Sequence, residues 1–441
     1  MAGQDEGLSG FPAVRRLFRR GNFPGTIKPF RSQGESGVDF TGVHGSQPSS
    51  RSQPAEPGQQ ARKGPASSPG PNQLAEMVSD VGLAALTQPS GVPRGADGAP
   101  SVSGGEEGVA ALRSMSNSRL TKFDRILGDA VVDVEALREL AWSGIPPRLR
   151  PDCWRLLLGY APPNRERRAA ILARKRHEYR DFVPDYYDGA GLAGASEDEA
   201  GALRQVAVDV PRTAPGVPFF SQPDVQTSLE RILYIWGLRH PASGYVQGIN
   251  DLVTPFLAVF MSEYLEGPMN DWAVGTLPPD QLLAVEADCY WCLCKLLDGI
   301  QDHYTHAQPG IQRTVFHLRE LVRRVDAKTA THLDEQGLEF LQFAFRWVNC
   351  LLLRELPFQL GVRLWDTYLA EGSSLREFLV YALASFLLSW SSQLQQLEFQ
   401  DLIMFLQRPP TAAWTEQDME VVLSRAFMWR SSFKGATSHF S

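Results

Sequence analysis

The chain has 441 residues, 43% of them hydrophobic, and a formal net charge of -7 at pH 7 with a pI near 5.7. That balance excludes a long-range pull toward nucleic acid, and the apolar content suffices for a large core. Five cysteines, an odd number, follow a polar and acidic start (MAGQDEGLSG) where a secretory segment would be basic and then apolar, so a reducing cytoplasmic setting is expected.

Sixteen of the 38 glycines and twelve of the 31 prolines fall in the first 100 residues, and no Phe, Trp or Tyr occurs between Phe40 and Phe123. So little apolar surface cannot offset the entropy of ordering. Residues 1–120 are therefore expected to be a disordered Gly/Pro/Ser-rich arm. A helical body is expected over 121–435, with its motifs from about 140, and a short tail over 436–441. All ten tryptophans lie beyond position 140, where they can pack a core. In the arm, AVRRLFRRG (13–21) reads either as a solvated basic patch or as a docking segment for an acidic partner or an anionic membrane. The serines of RSQP (51–54) and RSMSNSR (113–119) fit phosphorylation sites, which would give the arm adaptor or phospho-dependent partners.

Along the body the apolar positions recur at helical spacing. GIPPRLRPDCW (144–154) comes first, and QVAVDVPRT (205–213) follows with Val206 and Val208 alternating with polar neighbours. Pro211 disfavours helix at the residue before it and restricts its own backbone, so Asp209 and Arg212 are expected on a stiff, non-helical loop. Val225, Leu229, Ile232, Leu233 and Trp236 form the stripe of an amphipathic helix. GYVQGIND (244–251) then places glycines on both sides of Gln247, just before the apolar helix INDLVTPFLAVFM. Further stripes run through Val315, Leu318, Val322 and Val325, and through Leu338, Leu341, Phe345, Val348 and Leu352. FLVYALASFLLSW (378–390) is short for a bilayer span and reads as a core helix. Thr415 with Asp418 marks a capping box before the last helix. With no alternating runs between hairpin turns and no internal repeat, an all-α fold of many helices is expected.

Several chemistries are missing from the sequence: it has no phosphate-binding G-x-x-x-x-G-K-[ST], no G-x-G-x-x-G followed by an acidic residue, no H-E-x-x-H and no G-x-S-x-G. Three thiols in CYWCLC (289–294) suggest a metal, but on a helix Cys294 turns away from Cys289 and Cys292, and no second pair stands at zinc spacing, so a core role is expected. Asp209 with Arg212 and Gln247 remain. An arginine can neutralise developing phosphate charge, and a glutamine amide can orient a water. The spacing equally allows a salt bridge that braces a loop, and a glutamine that only bonds backbone groups.

These motifs, in this order, carry a resemblance. GIPPRLRPDCW resembles R-x-x-x-W through Arg150 and Trp154, VAVDVPRT resembles I-x-x-D-x-x-R with Val206 for the isoleucine, and YVQG resembles Y-x-Q-G, with RLWD (363–366) in support. The chain resembles the TBC-domain family of GTPase-activating proteins for Rab GTPases, and within it the member-22 subfamily, over about residues 140–435. The resemblance implies an all-helical TBC domain acting in trans on a Rab-family small GTPase, which regulates vesicle traffic at endomembranes including the Golgi. It implies Arg212 as an arginine finger and Gln247 as a glutamine finger. Asp209 would orient Arg212, and Arg150 would lock the motifs from behind. Tyr245 and Gly248 would shape the glutamine loop, with Pro241, Asn250 and Asp251 in support. GTP and magnesium would arrive on the partner, with no nucleotide, metal or cofactor of the chain's own. A non-catalytic adaptor or scaffold that binds a GTPase through the helical body and recruits partners through the arm is the alternative.

Overall fold

The computed structural model describes residues 117–188 and 190–433. The tail and all of the expected arm before residue 117, with its basic segment and RSQP serines, lie outside the described residues. Among the described residues the regular elements are helices, joined by one isolated bridge between Val131 and Asn164. Helix α1 spans 117–128, followed by α2 (Val134–Trp142), α3 (Arg150–Leu157), α4 (Arg165–Phe182), α5 (Glu197–Asp209), α6 (Pro223–Arg239), α7 (Ile249–Met261) and α8 (Pro279–Gly299). Then come α9 (Pro309–Val325), α10 (Ala327–Glu335), α11 (Leu341–Asn349), α12 (Phe358–Glu371), α13 (Leu375–Leu387), α14 (Phe399–Gln407) and α15 (Glu416–Phe433). Prolines at the first position of α6, α8 and α9 start those helices where a missing N–H costs nothing.

Two helices are the centres about which the others pack. All residues of α7 are buried, Asn250, Asp251 and Thr254 near its start included, and it lies against α6 and α8. Pro255 inside α7 has no N–H for the Asp251 carbonyl, and the Thr254 hydroxyl donates to that oxygen instead at 2.7 Å. The second centre is α13, packed on α9, α12 and α15, and only Arg376 and Glu377 of its residues escape burial. This is the stretch read as a core helix, and no helix among the described residues is long and apolar enough to cross a membrane.

One expected stripe is cut at both ends. Leu338 belongs to the cap of α10: Gly337 takes φ +71, and the Leu338 N–H donates to the Leu333 carbonyl at 2.9 Å. Leu352 likewise closes α11 by donating to the Trp347 carbonyl at 3.0 Å, with Leu351 at φ +49 in the place glycine usually holds. The helix between them is therefore Leu341–Asn349. At the last helix, the Asp418 carboxylate accepts from the Thr415 N–H at 2.7 Å as a capping box requires, while the Thr415 hydroxyl also donates to Asp418.

Candidate functional site

Helix α5 begins at a reciprocal capping box between Ser196 and Glu199 and carries Glu197, Asp198 and Glu199 in its first turn. Its other end corrects the sequence reading. Asp209 lies in the helix, and Val210–Arg212 continues it as a 3-10 turn instead of a stiff loop. Val206 and Val210, four apart, are both buried, and their packing holds Val210 at helical angles despite the following proline. Pro211 cannot donate to a carbonyl one turn back, so the helix tightens, and the Thr213 N–H closes the turn on the Val210 carbonyl at 3.1 Å. Asp209 and Arg212 thus share one helical face.

Asp209 is the hub of the site. Its side chain is 6% exposed, against 62% for Arg212. Asp209 Oδ1 accepts from Arg212 Nη2 at 2.7 Å and from Gln247 Nε2 at 3.4 Å, while Oδ2 accepts from the Tyr245 hydroxyl at 3.1 Å. Arg212 Nε donates to the Val208 carbonyl at 3.0 Å, which folds the guanidinium back along its own helix. Burial, with the Asp209 charge beside it, pushes the Tyr245 phenol well above its ordinary range, so Tyr245 is a donor.

The glutamine loop comes from the α6–α7 junction. Gly244 at φ +61 opens it, and Gly248 at φ +109 ends it as the N-cap of α7. Asn250 ties the two finger segments: its Nδ2 donates to Thr213 Oγ1 at 2.9 Å and its Oδ1 accepts from the Gly248 N–H at 2.9 Å. Asn349, at the end of α11, donates to the Gln247 carbonyl at 2.9 Å. Asp251 lies deeper. Burial raises its carboxyl above the ordinary range, against the pull of Arg354 and the Cys350 thiol bond.

Asp209, Arg212, Tyr245, Gln247 and Gly248 are therefore brought together, with Asn250 and Asp251 beneath them, while Pro241 stays exposed at the edge of the loop. Arg150 stands apart from this cluster. Its Nε donates to Asp366 of α12, Trp154 Nε1 donates to Asp366 Oδ1 at 2.8 Å, and the Ile145 N–H donates to Asp366 Oδ2 at 2.9 Å. The R-x-x-x-W segment and RLWD are thus the two halves of one buried knot. Cys289, Cys292 and Cys294 are free and buried in the core, and burial pushes all three thiols up, which makes them inert. No group of three or more His, Cys, Asp or Glu among the described residues could hold a metal.

Two further residues escaped the sequence reading. Thr213 bonds Asn250, and Asn349 bonds the glutamine loop. A signal for Asn349 was present, since a lone amide in WVNCLL interrupts an otherwise apolar helical run. Chemically, the cluster offers a guanidinium with N–H donors open to solvent beside an amide that donates and accepts. That pair suits an anion and a water held together.

Residues 147–395, more than half of the chain, match the Rab-GTPase-TBC domain family. The GTPase-activating protein gyp1 of Schizosaccharomyces pombe is 51% identical over 325 residues, covering 73% of this chain and 63% of that protein. Human TBC1 domain family member 22B is 46% identical over 334 residues, 76% of this chain and 65% of that protein. The chain thus spans somewhat less than two thirds of the length of these relatives. The solved Ypt/Rab-GAP domain of Gyp1p superposes with a TM-score of 0.67 at 46% identity, covering 72% of this chain and 98% of that one. The all-helical fold, the buried knot of motifs and these similarities lead to one conclusion: the chain belongs to the Rab-GTPase-TBC domain family.

Proposed function

We propose that this protein activates GTP hydrolysis on a Rab-family GTPase by donating Arg212 and Gln247 to the partner's nucleotide site. The observation that carries the reading is the convergence of these two side chains, from separate elements, on a single oxygen of buried Asp209. Phosphoryl transfer to water is governed mainly by positioning and by neutralising charge. Arg212 leaves Asp209 and the Val208 carbonyl to span phosphate oxygens, and Gln247 orients the attacking water. Asp209 and Tyr245 set the starting positions of both. GTP and magnesium belong to the partner. Peripheral recruitment to endomembranes, including the Golgi, and a role in vesicle traffic accompany this reading, with arm-dependent partners as its outer part.

The test is phosphate release from a panel of GTP-loaded Rabs. Wild type accelerates at least one. An arginine finger is worth roughly 10³ to 10⁵ in rate, so Arg212→Ala removes about 10³ or more of that stimulation. Arg212→Lys is nearly as damaging because lysine lacks the planar fork. Gln247→Ala loses activity in the same direction. Wild-type stimulation by both Arg212→Ala and Gln247→Ala overturns the assignment, and binding without acceleration on any Rab marks an adaptor instead.

A further inference from the structure

We propose that Asn349 is a positioning residue for Gln247, acting through the backbone of the glutamine loop from 102 residues away; the inference rests on the functional reading above. The peptide group joining Gln247 to Gly248 is held at both ends. Its carbonyl accepts from Asn349 Nδ2 at 2.9 Å, and its N–H donates to Asn250 Oδ1 at 2.9 Å. Because a peptide group is planar, fixing both ends fixes the plane, and with it the direction in which the Gln247 side chain leaves the loop. A water-orienting amide is sensitive to that direction, since misplacement by about 1 Å can cost on the order of 10² in rate.

Asn349 is poorly explained as a stability element. It is 5% exposed, and its Oδ1 is buried without a partner, an arrangement that lowers stability. It ends α11 just before Leu351 and Leu352, two non-glycine residues in the left-handed region at φ +49 and +63. Such backbone strain concentrates where geometry serves function. The carbonyl of Asn349 is fixed in turn by the Tyr304 hydroxyl at 2.8 Å, which anchors it from the segment before α9. On the loop side, a Cβ on Gly248 would collide with Asn349 Nδ2, so the amide packs directly onto the loop backbone.

The experiment uses the full chain and a Rab that wild type accelerates, with kcat and KM separated by varying the Rab concentration. Asn349→Ala and Asn349→Ser lower kcat by about tenfold or more. They leave KM within about twofold and Tm within about 4 °C of wild type. Because Asn349 acts through Gln247, adding Asn349→Ala to Gln247→Ala changes the residual kcat by less than about twofold. Wild-type kcat in both Asn349 variants overturns the inference. So does an equal loss with and without Gln247, or a loss shared between KM and Tm in both, since each marks a merely structural contact. Arg212→Ala in the same series keeps the two readings apart: if it loses stimulation while the Asn349 variants do not, only the inference falls. If wild type accelerates no Rab, both fall.

Discussion

Arg212 and Asp209 are hydrogen-bonded to each other, yet their burial predicts opposite consequences for the fold. Arg212 is mostly exposed, so its ion pair with Asp209 contributes about 1 kcal/mol at most, and Arg212→Ala leaves the urea midpoint nearly unchanged while stimulation collapses. Asp209 is buried and accepts from three side chains. Asp209→Ala removes the acceptor shared by Arg212 and Gln247 and leaves the Tyr245 hydroxyl only Asn250 Oδ1, at 3.2 Å, and it costs about 1–3 kcal/mol by urea denaturation, in addition to lost stimulation. Gly248 is constrained twice over. An alanine there meets φ +109, unfavourable by roughly 1–2 kcal/mol, and must also displace the Asn349 amide. Gly248→Ala is therefore expected to lower the midpoint and the rate together.

Between elements, stability rests on buried polar knots that join helices distant in sequence. Asp366 of α12 joins α3 through Arg150 and Trp154, and the segment before α3 through Ile145; burial raises its carboxyl against the pull of Arg150. Asp366→Ala leaves the Arg150 charge buried and unpaired, which predicts a loss of about 3–5 kcal/mol in the same urea assay. His303, between α8 and α9, is 1% exposed with Nδ1 unpaired. Burial lowers its pKa to about 4, with Asp302 raising it and Arg376 and Arg313 lowering it. The folded state thus favours neutral imidazole. The stability this brings is complete above an unfolded pKa of about 6.5 and is lost as pH falls from there through 4, on the order of 3 kcal/mol in all. Urea midpoints measured from pH 7 to 4 should fall more steeply for wild type than for His303→Gln.

For the whole molecule, every tryptophan lies in the body, so tryptophan fluorescence reports the unfolding of the body alone. Deleting residues 1–110 is expected to leave the melting curve by that signal within a few degrees of the full chain's. The all-helical class, the buried character of α7 and α13, and the amphipathic faces of α6 and α9 were legible in the sequence. They follow from the spacing of apolar residues along a single helix, which is local information. The finger candidates and their motifs were legible too, through residue type and order. The end of α5 was not, because the buried packing of Val206 and Val210 outweighs the preference set by Pro211. Nor was the cut stripe at α11, where Leu338 and Leu352 serve as caps for helices that stop beside them. By itself the sequence determined which residues could do chemistry and which faces would be buried. Only the tertiary structure decided that Asp209, already paired with Arg212 on its own helix, also meets Tyr245 and Gln247, that Asp366 joins Arg150 and Trp154, and that Asn349 grips the glutamine loop. Those contacts link segments 36 to 216 residues apart, and a hydrogen bond across such distances is set by how the helices pack, not by any pattern along one of them.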